Sequence, residues 1–192
     1  MTTQPLLQDT IDFGAPAGTG DAAVLHQAMK FFLRNNLGAT ALPAAPNIIE
    51  MRKMLPLLEG FAKAMMICAA GDGQLAPQEL EWILGFVANA GGTDELLQDL
   101  RNLDPATLDP MKLLAQTERP GLFVHALVYH AIVASDADGV LEPGEAMTIR
   151  AMASILGVTN EQIDALFALQ ADERAFNQRK MAVLFPNGHP WG

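Results

Sequence analysis

The sequence predicts an all-α protein whose main body is two similar helical halves. Three observations carry this. The pattern Asp-Gly-x-Leu-x-Pro-x-Glu occurs twice, as Asp72–Glu79 and as Asp138–Glu145, 66 residues apart. The register extends well beyond it: Phe61–Leu100 aligns on Leu127–Leu166 without a gap, with Ile83 on Ile149, Gly91 on Gly157, Thr93 on Thr159, Glu95 on Glu161 and Leu100 on Leu166. Aromatic residues make up only 6% of the chain while Met occurs ten times, so the core is one of Ala, Leu, Met, Ile and Val, a mixture that favours helix over sheet. A unit used twice implies a pseudo-two-fold axis between the copies.

Residues 1–21 are rich in Gly, Ala, Pro and Thr without a sustained period, and read as a flexible leader. Residues 22–46 hold an N-terminal helix, capped by Asp21 and stopped near Gly38, and the Pro-rich linker Leu42-Pro43-Ala44-Ala45-Pro46. The main domain spans 47–186. Asn47 caps a long helix to about Ala70, with Pro56 expected to kink or split it. After the turn Gly71-Asp72-Gly73, a helix starts at Pro77 and ends near Gly91-Gly92; Thr93 caps another through Leu103. Asp104–Thr117 is a Pro-interrupted bridge with one short helix. Arg119–Ser135, Pro143–Leu156 and Thr159–Leu169 repeat the first three helices. The halves are thus about 48–103 and 119–169; Asp172–Phe185 forms a last helix, and 187–192 is a tail containing Trp191.

The chain has 192 residues, enough for one domain with a sizeable core. Its net charge of −10 excludes a nucleic-acid binder, which needs Lys and Arg against phosphates, and disfavours docking on anionic lipid. It suits a cation or a basic protein partner. Cys68 is the lone cysteine, so no internal disulfide forms, and a reducing, cytoplasmic compartment is expected. Met1-Thr2-Thr3-Gln4-Pro5 lacks the positive start of an export signal. The longest uncharged apolar stretch, Gly121–Ser135, is too short for the roughly 20 residues of a membrane span and carries His125 and His130.

The repeated loop has two readings. Gly73 and Gly139 suit a positive-φ position between helices, while Leu75 and Leu141 anchor the loop to the core. Glu79 and Glu145 fall in the first turn of the next helix, facing free backbone N–H groups and the positive end of its dipole. Asp72 and Asp138 point into the same concavity. In one reading these acids only satisfy a tight helix–loop–helix turn. In the other they bind a hard cation, Ca2+ or Mg2+, which prefers carboxylate oxygens. With Gly139 at position 6 of an EF-hand-like loop, Asp136, Asp138, Glu142 and Glu145 take ligand positions, but position 1 is Ala134; the first copy keeps only Asp72 and Glu79. A site shared between the loops therefore fits better than one in each, with Asp72, Glu79, Asp138 and Glu145 as its centre and Asp136 and Glu142 helping.

An Ala-rich helix ending in Ala-Ala-Gly-Asp-Gly or Ser-Asp-Ala-Asp-Gly, then Leu-x-Pro-x-Glu, then an apolar helix ending before Gly, resembles the TerB-like family, named for a tellurite-resistance protein and also found fused to some J-domain co-chaperones. Ser135–Glu145 is the nearer match, and Ile155-Leu156-Gly157-Val158-Thr159 is also typical. The resemblance covers about Ile48 to Phe185 and leaves the residues up to about Asn47 unmatched. It implies a compact bundle of about seven helices, here with an N-terminal helix added. It further implies a divalent-cation site on the acidic residues of the two loops, and a place in cytoplasmic stress or membrane-surface complexes.

His125 and His130 lie five apart on one helix and do not form an i, i+4 metal pair; at least one is expected to be a hydrogen-bonded core or boundary residue. Cys68 reads as a small buried thiol. Lys30-Phe31-Phe32-Leu33-Arg34 is expected to cover the core. No Ser-His-Asp set, phosphate loop or zinc pattern appears, so no enzyme activity is expected. The sequence therefore predicts a non-enzymatic acidic interaction module with a protein partner and a divalent-cation site, the alternative being a scaffold whose acidic loops only cap helices.

Overall fold

The computed structural model describes residues 55–116 and 123–188, together with Ala28 and Phe31. Among these residues every regular element is helical and no strand occurs. Seven α-helices have defined bounds: α1 Leu55–Ala69, α2 Pro77–Asn89, α3 Asp94–Arg101, α4 Pro110–Gln116, α5 Val124–Ser135, α6 Pro143–Ile155 and α7 Asn160–Leu184, with a 3-10 turn at Pro105–Thr107. Ala28 and Phe31 are helical, as the N-terminal helix requires, but Phe31 is 63% exposed and does not seal a core. The predicted leader, the linker, the Asn47 cap and Trp191 lie outside the described residues.

The chain divides into two compact units, and α1 and α2 each contribute to both. Of the described residues, the first unit holds Leu55–Ala62 and Ile83–Leu103. Its interior is apolar: Phe61 stacks on Phe86 with ring centroids 6.1 Å apart, and Ile83, Val87, Leu96 and Leu100 are buried. The second unit holds Lys63–Trp82 and the chain from Asp104 onward. There α5 packs on α6 and α7, and α6 on α7. Met65, Met66, Val128, Ile132, Ile149 and Ile163 form its buried interior. Cys68 belongs to this core: its thiol donates to the Met152 sulfur at 3.6 Å, and burial pushes its pKa up to about 12, so it is an inert packing residue.

Three boundaries differ from the sequence reading. Phe123, expected inside a helix, is a turn residue with φ −125° and ψ 12°, so α5 starts at Val124. The helix capped by Thr93 ends at Arg101 rather than Leu103, with Asn102 as its C-cap. The helices predicted over 159–169 and 172–185 are a single 25-residue helix, α7. The reason is local: from Asn160 to Leu184 there is neither Gly nor Pro, and Gln170-Ala171 continue a helix readily, so Asp172 sits inside it rather than starting a new one. Pro56 is the second described residue of α1, so the kink or split expected there falls at the edge of the described residues.

Candidate functional site

Both acidic loops lie in the second unit, and they are built by the same hydrogen bonds. Gly73 has φ 103° and Gly139 has φ 98°, a region in which any side chain is strained. Just before each glycine an aspartate caps the turn: Asp72 Oδ1 accepts from the Gln74 N–H at 2.9 Å, and Asp138 Oδ1 from the Val140 N–H at 2.8 Å. The next helix then receives its glutamate at the third position. Glu79 Oε2 accepts from the Ala76 N–H at 2.7 Å, and Glu145 Oε2 from the Glu142 N–H at 2.8 Å. Each glutamate thus satisfies the N-cap N–H of its own helix. Leu75 and Leu141 are half-buried beneath the turns.

Backbone contact brings the loops together. A Cβ added to Gly71 would lie 2.8 Å from the Gly144 carbonyl oxygen and 2.8 Å from Glu145 Cα. A Cβ on Gly144 would lie 2.7 Å from the Gly71 oxygen and 2.9 Å from Asp72 Cα. Only a pair of glycines allows the first loop to pack this closely on the start of α6.

That approach joins Glu79 to Glu145. Their carboxyl groups hydrogen-bond to each other and are almost fully buried, 1% and 3% exposed. Two carboxylates in contact repel each other when both are ionised, which favours a proton between them. Burial, and then the bond to Glu79, push Glu145 up to about 8. Burial also raises Glu79, and the charges of Asp138 and Asp72 add to the effect. Asp72 acts on Glu145 as well.

The six acids singled out in the sequence therefore divide. Glu79 and Glu145 are in contact, and Asp72 and Asp138 surround them electrostatically while exposed at the loop tips. Asp136 is committed elsewhere: Oδ1 accepts from Arg174 Nη1 at 2.5 Å and Oδ2 from Gln170 Nε2 at 2.5 Å. Glu142 is the exposed N-cap residue of α6. Among the described residues no group of three or more His, Cys, Asp or Glu side chains is gathered as a metal cage. As donors, Glu79 and Glu145 suit a hard cation, each with an oxygen turned to the other; Asp136, held by a guanidinium and an amide, does not.

Several neighbours carry no local sequence signal. Arg174 reaches back 35 residues to give Nη2 to the Gly139 carbonyl at 2.7 Å, clamping the second loop to α7. Tyr129 donates its hydroxyl to Glu173. His130 is the buried histidine expected from the sequence: Nδ1 lies 2.8 Å from the Ala126 carbonyl, its ring is near Trp82 and Tyr129, and burial lowers its pKa. His125 is exposed. The Ser135 hydroxyl is buried without a hydrogen-bond partner. Gly144 did carry a signal, since glycine in the first turn of a helix has little local use and marks a close backbone approach.

No family model matches the chain, and no curated protein matches it. Among solved structures it is similar to a tellurite resistance protein from Nostoc punctiforme, with 26% identity, coverage of 90% of this chain and 99% of that one, and a TM-score of 0.71. The chain has a TerB-like fold.

Among the described residues no helix is long and apolar enough to cross a membrane.

Proposed function

We propose that this chain is a non-enzymatic acidic helical module in which the two loops form one divalent-cation site. The observation that supports this best is the buried Glu79–Glu145 pair. One proton leaves the pair with a single negative charge, whereas a calcium or magnesium ion would balance both carboxylates. Glu79 and Glu145 would be the ligands, and Asp72 and Asp138 the surrounding negative field that attracts the ion. The loops are read as equivalent halves about a pseudo-two-fold axis. Cation binding then ties the halves together and sets the shape presented to a protein partner in the cytoplasm. The tellurite resistance neighbour favours a metal-stress setting for that partnership.

A second reading is favoured by the capping bonds. Asp72, Glu79, Asp138 and Glu145 each already accept a backbone N–H, which is sufficient reason for an acid at each position. In that case the module is a scaffold and the pair is a structural hydrogen bond.

Thermal unfolding of metal-stripped protein with added calcium or magnesium separates the two. The cation reading expects a rise in melting temperature in wild type, following ligand linkage at about 2.7 kcal/mol for a ligand at 100 times its Kd. It expects no rise in Glu79→Gln/Glu145→Gln. No rise in wild type with either ion at millimolar concentration supports the scaffold.

A further inference from the structure

The outer face of α7 carries an exposed apolar stripe. Leu169, Phe176 and Val183 are 51%, 52% and 74% exposed. They recur every seven residues, so they stay on one side of the helix over about 21 Å. The body-facing side is occupied by other residues: Ile163 is buried, and Gln170 and Arg174 bond to Asp136.

The charges along the stripe are ordered. Asp172 and Glu173 lie on the N-terminal side of Phe176, and Arg179 and Lys180 on the C-terminal side. Both cations fold over the Phe176 ring, each 5.7 Å from its centroid. The pattern is self-complementary. In an antiparallel pair of such helices with a two-fold axis at Phe176, Phe176 meets its counterpart and Leu169 of one copy meets Val183 of the other. Asp172 then faces Arg179 of the other copy, while Glu173 stays bonded to Tyr129 of its own chain. A parallel pair would set acid against acid and base against base.

We propose that the stripe Leu169–Phe176–Val183 docks antiparallel on the same stripe of a second copy of this chain. An isologous two-fold interface needs one patch that complements itself, and this one does so in both apolar register and charge. A single helix pair buries less than a standard interface, so the dimer is concentration-dependent.

Sedimentation velocity of the full chain, from low to high micromolar concentration, tests this. Wild type is expected to shift from monomer to dimer. Phe176→Ser, an exposed change that leaves the circular dichroism spectrum intact, is expected to raise the dimer dissociation constant on the order of tenfold or more. Arg179→Asp is expected to abolish dimerisation by placing acid opposite Asp172, and adding Asp172→Arg is expected to restore it. A wild type that stays monomeric throughout overturns the proposal. So does a dimer unaffected by Phe176→Ser, which would use another face, or a charge swap that fails to rescue, which would exclude the antiparallel register.

Discussion

Glu79 and Glu145 stand in the first turns of two different helices, and their carboxyl groups bond directly to each other in a buried position. Each also accepts the N-cap N–H of its own helix, so the pair couples two helix starts.

The first consequence is a pH dependence. Glu145 is raised from the ordinary value of 4.5 to about 8, so the native state holds a proton that the unfolded chain releases. Stability from this proton is fully present below about pH 4.5 and is lost as pH rises to about 8. Within that window the slope approaches about 1.4 kcal/mol per pH unit. Glu145→Gln keeps an amide that can donate to Glu79 without titrating. Denaturant melts across pH should show a shallower fall for the variant between about pH 4.5 and 8. Parallel curves would mean that the pair does not share a proton.

The glycine contact that makes the pair possible is tested by methyl groups. Gly71→Ala and Gly144→Ala each place a Cβ within 2.9 Å of backbone atoms and should cost about 1–3 kcal/mol as overpacking. Gly85→Ala is the control: nothing lies within 4 Å of its Cβ position inside α2, so it should stabilise by about 0.5–1 kcal/mol. Urea unfolding of the three variants gives the comparison. Equal, small effects at Gly71 and Gly144 would show that the loops do not meet backbone to backbone.

Arg174 should matter for the second loop alone. Its guanidinium holds Asp136, whose side chain is 8% exposed, and the Gly139 carbonyl. Arg174→Ala leaves Asp136 with Gln170 and should cost about 1–2 kcal/mol, a buried-acceptor loss reduced by the exposure of the arginine. Asp136→Asn/Arg174→Ala should recover part of that cost, because the buried charge goes with its partner. Hydrogen exchange should place the loosening at 136–140 and not at 72–76.

Much of this architecture was legible in the sequence because it is local. Pro77 and Pro143 start helices, Thr93 and Thr159 accept N–H bonds as caps, and Gly73 and Gly139 take positive φ at the turns. Each is a property of a few adjacent residues. The continuity of α7 was also local, but the sequence reading started a new helix at Asp172 although nothing before it stopped the first. The six-acid site was legible only in part. Spacing put Glu79 and Glu145 at equivalent helix starts, but their contact depends on the Gly71–Gly144 approach. The removal of Asp136 depends on an arginine 38 residues away. Neither tertiary contact leaves a periodic trace.

On the proposed function, a divalent cation takes the place of a proton between Glu79 and Glu145. Calorimetric titration of calcium into metal-stripped protein near pH 7, in two buffers of different ionisation enthalpy, tests it most directly. Cation binding at the pair should give heat that differs between the buffers, corresponding to release of up to one proton per ion bound, with both heat and release lost in Glu79→Gln/Glu145→Gln. Binding without proton release, or binding that survives the double substitution, would place the cation elsewhere and contradict the claim.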